Sequence, residues 1–286
     1  MATLYETHAH LDFPDFDEDR DEVLRRASEA GVARIITIGT NLATSRRALE
    51  LADRYPQVWA TVGVHPNEAA EAPEGFIDDL RALAKHPKVA AIGEIGTDYH
   101  RLPTEAKPDL ARLATEAYLA SSPGTLAERI ANDAFKARQA EVFGLQLELA
   151  AELGLNVVIH QRDSWADTLS ILEPFSDQLR GVFHCFVGPP EAADQVLAMG
   201  HLVSFTGIVT FKNATDVQAS AAHVPIGKFM VETDCPYLAP HPHRGKRAEP
   251  AHTRLVAEKI AELKERGLED IAEATNATAE EFFRFG

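Results

Sequence analysis

The strongest constraint on what this chain can fold into is an alternation. Short runs rich in Val and Ile alternate, about eight times, with longer segments of helical periodicity. The runs are Thr3–Thr7, Ala33–Ile38, Val58–Val62, Val89–Ile92, Asn156–His160, Gly181–His184, Leu202–Phe205 and Lys228–Glu232. Most are continuously apolar, as strands covered on both faces are. Asp17–Ala30 repeats Val23, Leu24, Ala27 and Ala30 at helical spacing, with Gly31 where a helix would end. Phe135–Leu153 before Gly154, and Ala251–Arg266 before Gly267, read the same way. Parallel neighbours need long crossovers, so repeated strand–helix units predict an α/β chain with a parallel sheet. Eight units in 286 residues predict a closed (β/α)8 TIM barrel, one domain over 1–286. An open doubly wound sheet would more often show a Gly-rich phosphate turn after its first strand, and none is there. The step from Val89 to Asn156 is wider than the others. Its excess, at about 103–133, reads as a helical insertion at the catalytic end.

Composition excludes other classes. Apolar residues make up 45% and charged residues 25%, which is ordinary globular usage. No apolar run reaches the ~18–20 residues of a membrane span, and Met1–His10 does not read as a signal peptide. Two cysteines, Cys185 and Cys235, make no disulfide framework and fit a cytoplasmic setting. The formal net charge of −16 argues at first sight against a polyanionic partner.

In such a barrel, chemistry sits where strands end. The first strand runs into His8 and His10, whose i, i+2 spacing on extended chain points both imidazoles to one side. The fourth runs into Glu94, the fifth ends at His160, the sixth at His184, and the eighth runs into Asp234. Six such groups at one rim cannot be buried without partners, and divalent cations are fitting ones. The N/O donors without thiolate suit zinc, manganese, iron or a similar ion. Six ligands exceed the three usual for one catalytic zinc, so two metals sharing a carboxylate account for them better.

These residues lie in motifs: His8-Ala9-His10-Leu11-Asp12, Gly63-Val64-His65-Pro66, Gly93-Glu94-Ile95-Gly96-Thr97-Asp98-Tyr99, Val158-Ile159-His160, His184-Cys185-Phe186, Gly207–Phe211, Val231–Leu238 and Pro242–Arg247. Over nearly its whole length the chain resembles the TatD family of metal-dependent hydrolases, described as deoxyribonucleases. The resemblance implies that His8, His10 and Asp234 hold a first metal, that Glu94 bridges, and that His160 and His184 complete a second. It implies two divalent ions per subunit (Zn, Mg or Mn) and a metal-activated water, with Asp234 and Glu94 as catalytic carboxylates. It implies a DNA substrate, single-stranded or at its ends, cleaved exonucleolytically, with no membrane and no obligate protein partner. The chain departs from the family at Cys235, where Ser is usual, at Thr97, often Leu, and at Ala248, often Asn.

Around this set, His65, Arg162, Arg244 and Lys246 are candidate substrate-binding groups, the cations for phosphate. A solvated loop or an ion pair, as between Arg162 and Asp163, accounts for the cations about as well. His86, His100, His201, His223 and His252 read as structural histidines. Trp165, Phe186 and Tyr237 could stack a base, but packing is the simpler reading. The alternative function is a small amide or ester hydrolase on the same metals, since a fold does not fix a substrate.

Overall fold

The structure, a computed structural model, describes residues 2–100, 102 and 126–285. Eight strands form one parallel sheet in the order of the sequence. They are β1 (Leu4–Ala9), β2 (Val32–Thr37), β3 (Val58–Val62), β4 (Val89–Asp98), β5 (Val157–Arg162), β6 (Gly181–Phe183), β7 (Leu202–Phe205) and β8 (Phe229–Val231). A helix follows each: α1 (Arg20–Glu29), α2 (Leu42–Arg54), α3 (Phe76–Leu83), α4 (Leu126–Leu153), α5 (Trp165–Leu172), α6 (Pro190–Ala198), α7 (Thr215–His223) and α8 (Thr253–Leu263). Among the described residues a ninth helix, α9 (Leu268–Phe283), follows these eight. The fold is the expected (β/α)8 barrel.

Alternation along the strands sorts the apolar residues into two cores. Ile35, Val157, Ile159, Val203 and Phe229 face outward, in one cluster with Leu24, Leu80, Phe143 and Ile260 of the helices. Their neighbours Ile36, Val158, Leu202 and Met230 form a separate cluster inside the barrel. Phe282 and Phe283 of α9 belong to that inner cluster, so the last helix closes the floor. Asn156 fixes it there, donating from Nδ2 to the Phe282 carbonyl at 2.6 Å.

The barrel closes between β8 and β1 without a full ladder. A single parallel bridge pairs Ala9 with Cys235. Backbone bonds from the His10 N–H to the Cys235 carbonyl and from the Asp234 N–H to the His8 carbonyl accompany it, and side chains supply the rest of the seam. Thr7 Oγ1 donates to the Val231 carbonyl at 3.0 Å. The buried carboxylate of Glu6 accepts from the backbone N–H groups of His8 and Thr233, and from the Thr253 hydroxyl.

Of the boundaries that differ from expectation, including β1 and β5, which run on past Thr7 and His160, three change the reading. β4 runs on to Asp98, with all ten of its residues buried. α4 begins at Leu126, before the expected Phe135. The expected insertion therefore lies outside the described residues up to 125, while 126–133 belong to α4. Gly267 does not end α8. The left-handed residue there is Glu265, with φ 52°, and Gly267 instead precedes α9 as its N-cap.

Candidate metal centre

All six predicted ligands meet at the C-terminal mouth of the barrel. Glu94 stands in the middle, almost fully buried. Its Oε2 faces His8 Nε2 at 3.5 Å and His10 Nε2 at 4.0 Å. Its Oε1 faces His160 Nδ1 and His184 Nε2, each at 2.8 Å, and His65 Nε2 at 3.5 Å. Asp234 Oδ1 lies 3.3 Å from His10 Nε2 and 3.7 Å from His8 Nε2. The His8 and His184 rings stack in parallel, 4.0 Å between centroids.

Local sequence explains the placement. Glu94 sits within β4, between glycines that let neighbouring strands close in. At Gly96, with φ +142°, a Cβ would stand 2.0 Å from the His160 carbonyl, so only glycine keeps β4 and β5 in contact here. Asp234, with φ 58°, holds a left-handed turn, and its N–H donates to the His8 carbonyl at 3.0 Å. The backbone thereby binds the Asp234 turn directly to the strand that carries His8 and His10.

The electrostatics are those of a cluster short of cations. Burial alone would push the Glu94 carboxyl up. The imidazoles of His184, His65 and His8 outweigh it and hold the group well below the usual range. Burial, then the neighbouring His184, lowers His8. Burial opposes charge on His10 too, but Asp234 and Glu94 prevail and raise it. His65 is driven down to about 3 by burial and by His160.

The donor set fits divalent cations. Among the described residues, neither ring nitrogen of His8, nor Nδ1 of His10 or His184, has a hydrogen-bond partner. Buried nitrogens left unpaired cost about 1–3 kcal/mol each, and a cation would satisfy those that face the carboxylates. Donor atoms of three overlapping groups lie within 4.8 Å of one another: His8, His10 and Glu94; His8, His184 and Asp234; His65, Glu94 and His160. His65 thus stands among the donors as well as at the rim where substrate would sit.

Two carboxylates that the sequence reading left unassigned stand behind the histidines. Asp98 Oδ2 lies 3.3 Å from His160 Nε2, and Glu232 Oε1 lies 3.5 Å from His184 Nδ1. Burial opposes ionisation of Asp98, but His160 and the His100 N–H hold it down to about 2. Glu232 is anchored by the Cys185 N–H and the Ser204 hydroxyl, each at 2.6 Å. A carboxylate behind a ligating imidazole orients the ring and raises its basicity.

The remaining candidates are scattered along the rim. Arg162, Arg244 and Lys246 are exposed, and among the described residues none makes an ion pair. Asp163 pairs with His100 at 2.8 Å rather than with Arg162. Arg247, from the same basic loop, is committed to Asp19 and Glu249. Phe186 is buried, and Trp165 donates to Gln195, so both pack as expected. Cys235 is buried in the seam, its N–H on the Thr233 hydroxyl. No helix among the described residues is long and apolar enough to cross a membrane.

The profile of the family described as TatD related DNase matches residues 5–284. The chain belongs to the TatD family. The TatD-type chain is 38% identical over 282 residues to the metal-dependent hydrolase YabD of Bacillus subtilis, covering 98% of this chain and 99% of that one. It is 32% identical over 286 residues to the 3'-5' ssDNA/RNA exonuclease TatD of Citrobacter koseri, covering 98% of each. Among solved structures, the TatD homolog YJJV of Escherichia coli superposes with a TM-score of 0.82 at 25% identity, covering 98% of each chain. This TatD protein is therefore a metal-dependent hydrolase.

Proposed function

We propose that this TatD protein hydrolyses phosphodiester bonds at the ends of single-stranded DNA or RNA, using two divalent ions. One observation carries the reading: the two oxygens of Glu94 face two different sets of imidazoles. In the assignment we favour, His8, His10 and Asp234 would hold the first ion, His160 and His184 the second, and Glu94 would be shared between them. Bound there, divalent ions supply hydroxide near neutral pH and stabilise the attacking and leaving oxygens of a phosphoryl displacement.

The chain's own groups divide the remaining work. Asp234 is the more open of the two carboxylates, its side chain 15% exposed against 3% for Glu94. It is placed to orient an attacking water and to take its proton outward. Glu94, ringed by imidazoles, stays ionised and holds the two sets together. His65 Nδ1 accepts from the Asn67 N–H at 3.1 Å, which leaves the ring proton on Nε2, pointing inward. That N–H faces Glu94 Oε1 at 3.5 Å, too long for a good hydrogen bond, and would donate to a phosphoryl oxygen brought between them. Arg162, Arg244 and Lys246 would receive phosphates farther along the strand. The C. koseri relative's name, and the description of the family profile, support a nucleic-acid substrate.

The test is Glu94→Gln, assayed for bound metal and for cleavage of end-labelled single-stranded DNA and RNA. We expect metal content to fall and cleavage to drop at least about 100-fold, since even an outer-shell change at a metal site costs ~10–100-fold. Metal-loaded wild type that turns over lactones or acylated amino acids but no oligonucleotide would overturn the substrate assignment.

A further inference from the structure

Four large apolar side chains stand exposed among the described residues: Ile130, Val187, Ile226 and Tyr237. Two of them follow candidate ligands closely in the chain. Val187, 53% exposed, lies just after His184, and Tyr237, 54% exposed, just after Asp234. Apolar surface left in water beside a polar centre marks a binding surface.

The Tyr237 ring stands edge-on to Phe13, 6.1 Å between centroids, and 6.4 Å from His10. Phe13 in turn stacks on His10 at 4.6 Å. An aromatic pair therefore starts on a candidate metal ligand and leads outward. Beside it, the loops after β6, β7 and β8 enclose a cleft of about 290 Å³, lined by Val187, Ile208, Phe211 and Arg244 among others. The Arg244 guanidinium lies 4.4 Å over the Phe211 ring. Asp216 also lines the cleft, which leaves Arg244 as its cationic side.

The loops that carry the platform and the cleft are tied to each other. Gly207, where the cleft wall begins, packs so closely on the Leu238 carbonyl that a Cβ would stand 2.1 Å from it. The His241 N–H donates to Thr210 Oγ1 at 2.8 Å, binding the same two loops again.

We infer that this rim is a track for an unpaired nucleic-acid strand. Tyr237 takes the face of the base at the cleaved end. The cleft takes the neighbouring nucleotide, its base against Val187 and Phe211 and its phosphate on Arg244. The inference rests on the nuclease reading above and adds what selects the strand. Every base has a π-face, so stacking tolerates any sequence. In a duplex only the outer face of the last pair is open, and the neighbouring base is held by its partner and cannot turn into the cleft, so platform and cleft together discriminate against paired ends.

The experiment uses the metal-loaded protein and a fluorescein-labelled, phosphorothioate-linked dT octamer, with a blunt hairpin of the same linkage as the paired probe. Binding is followed by anisotropy. Wild type is expected to bind the octamer at least tenfold more tightly than the hairpin. Tyr237→Ala and Phe211→Ala are each expected to weaken octamer binding about tenfold, with Tyr237→Phe restoring it. Octamer binding as tight in both alanine variants as in wild type would overturn the track, as would a hairpin bound equally well. Tyr237 is exposed, so its variant serves if Phe211→Ala fails to fold. Because the probe resists cleavage, a wild type that leaves ordinary dT octamer intact overturns the nuclease reading alone. Loss of binding in the variants would support the track even then.

Discussion

The histidines of this chain divide by what their second nitrogen touches. His160 and His184 have carboxylates behind them, Asp98 and Glu232. His201, far from the mouth, has neutral partners: its Nδ1 accepts from the Gly181 N–H at 2.9 Å, and Nε2 meets the Ser176 hydroxyl at 3.0 Å. Burial, then the charge of Arg180, lowers its pKa to about 4. The unfolded chain would titrate near ~6.5. Between those values the unfolded state binds the extra proton, so the contribution of His201 is complete above about pH 6.5 and is lost as pH falls toward 4. His201→Gln should therefore flatten the acid limb of stability, by about 3 kcal/mol at most by pH 4. Denaturant midpoints of both proteins between pH 7 and 4 check this, and parallel slopes would refute it. At this scale the sequence announced what it could locally. His8, His10, Glu94, His160, His184 and Asp234 follow or end apolar runs, and a strand end in a barrel is a shared rim. Asp98 and Glu232 were not legible, because which carboxylate backs an imidazole depends on how the ring is turned.

Among the elements, most strands could be read because a strand covered on both faces is a run of Val and Ile. β4 could be read only in its first half. Beyond Ile92 it carries Gly93, Glu94, Gly96 and Asp98, residues that signal a loop in isolation, yet all are buried. They are strand here because the mouth supplies partners for the charges and the glycines admit β5. α9 was missed for a different reason: an eight-unit count has no place for a ninth helix. Its Ile271, Thr275, Thr278, Ala279 and Phe282 lie on one buried stripe. Phe282 is fully enclosed, and the helix gives the inner cluster three buried residues, Ala279, Phe282 and Phe283. Phe282→Ala should cost about 3–5 kcal/mol by denaturant unfolding. A loss below about 1 kcal/mol would mean that the floor does not depend on this helix.

For the molecule as a whole, the charge of −16 looks unsuited to a polyanion. Net charge governs solubility and long-range steering, while the site governs the chemistry. Two divalent ions, bound as proposed, would offset Glu94 and Asp234 together with Asp98 and Glu232 behind the histidines, and the exposed Arg162, Arg244 and Lys246 tip the mouth toward positive. The acids elsewhere are largely a solvated outer face, many already paired, as Asp17, Glu22 and Glu29 are with arginines. Such a molecule should grip few phosphates. For about three contacts on a single strand, at ~0.7 each, the log–log dependence of binding on salt should have a slope near −2. Measured binding of a single-stranded oligonucleotide from 50 to 200 mM salt decides it. A slope as steep as that of a basic DNA binder, with its ~6–10 contacts, would overturn this account of the charge.

The seam between β8 and β1 has a consequence in time. Its contacts join residues very far apart in sequence: Thr7 to Val231 across 224 positions, Glu6 to Thr233 across 227, and Glu6 to Thr253 across 247. A ribosome delivers His8 and His10 long before Asp234. Until the last strand emerges, the first has one neighbour, and the Glu6 carboxylate lacks two of its three donors. The growing chain can bring Glu94, His160 and His184 together early, but the other half of the mouth waits. On the proposed assignment, hydrolytic competence arrives only when the two halves of the mouth are joined, and a nascent chain carries no finished site past the nucleic acid that is being read to make it.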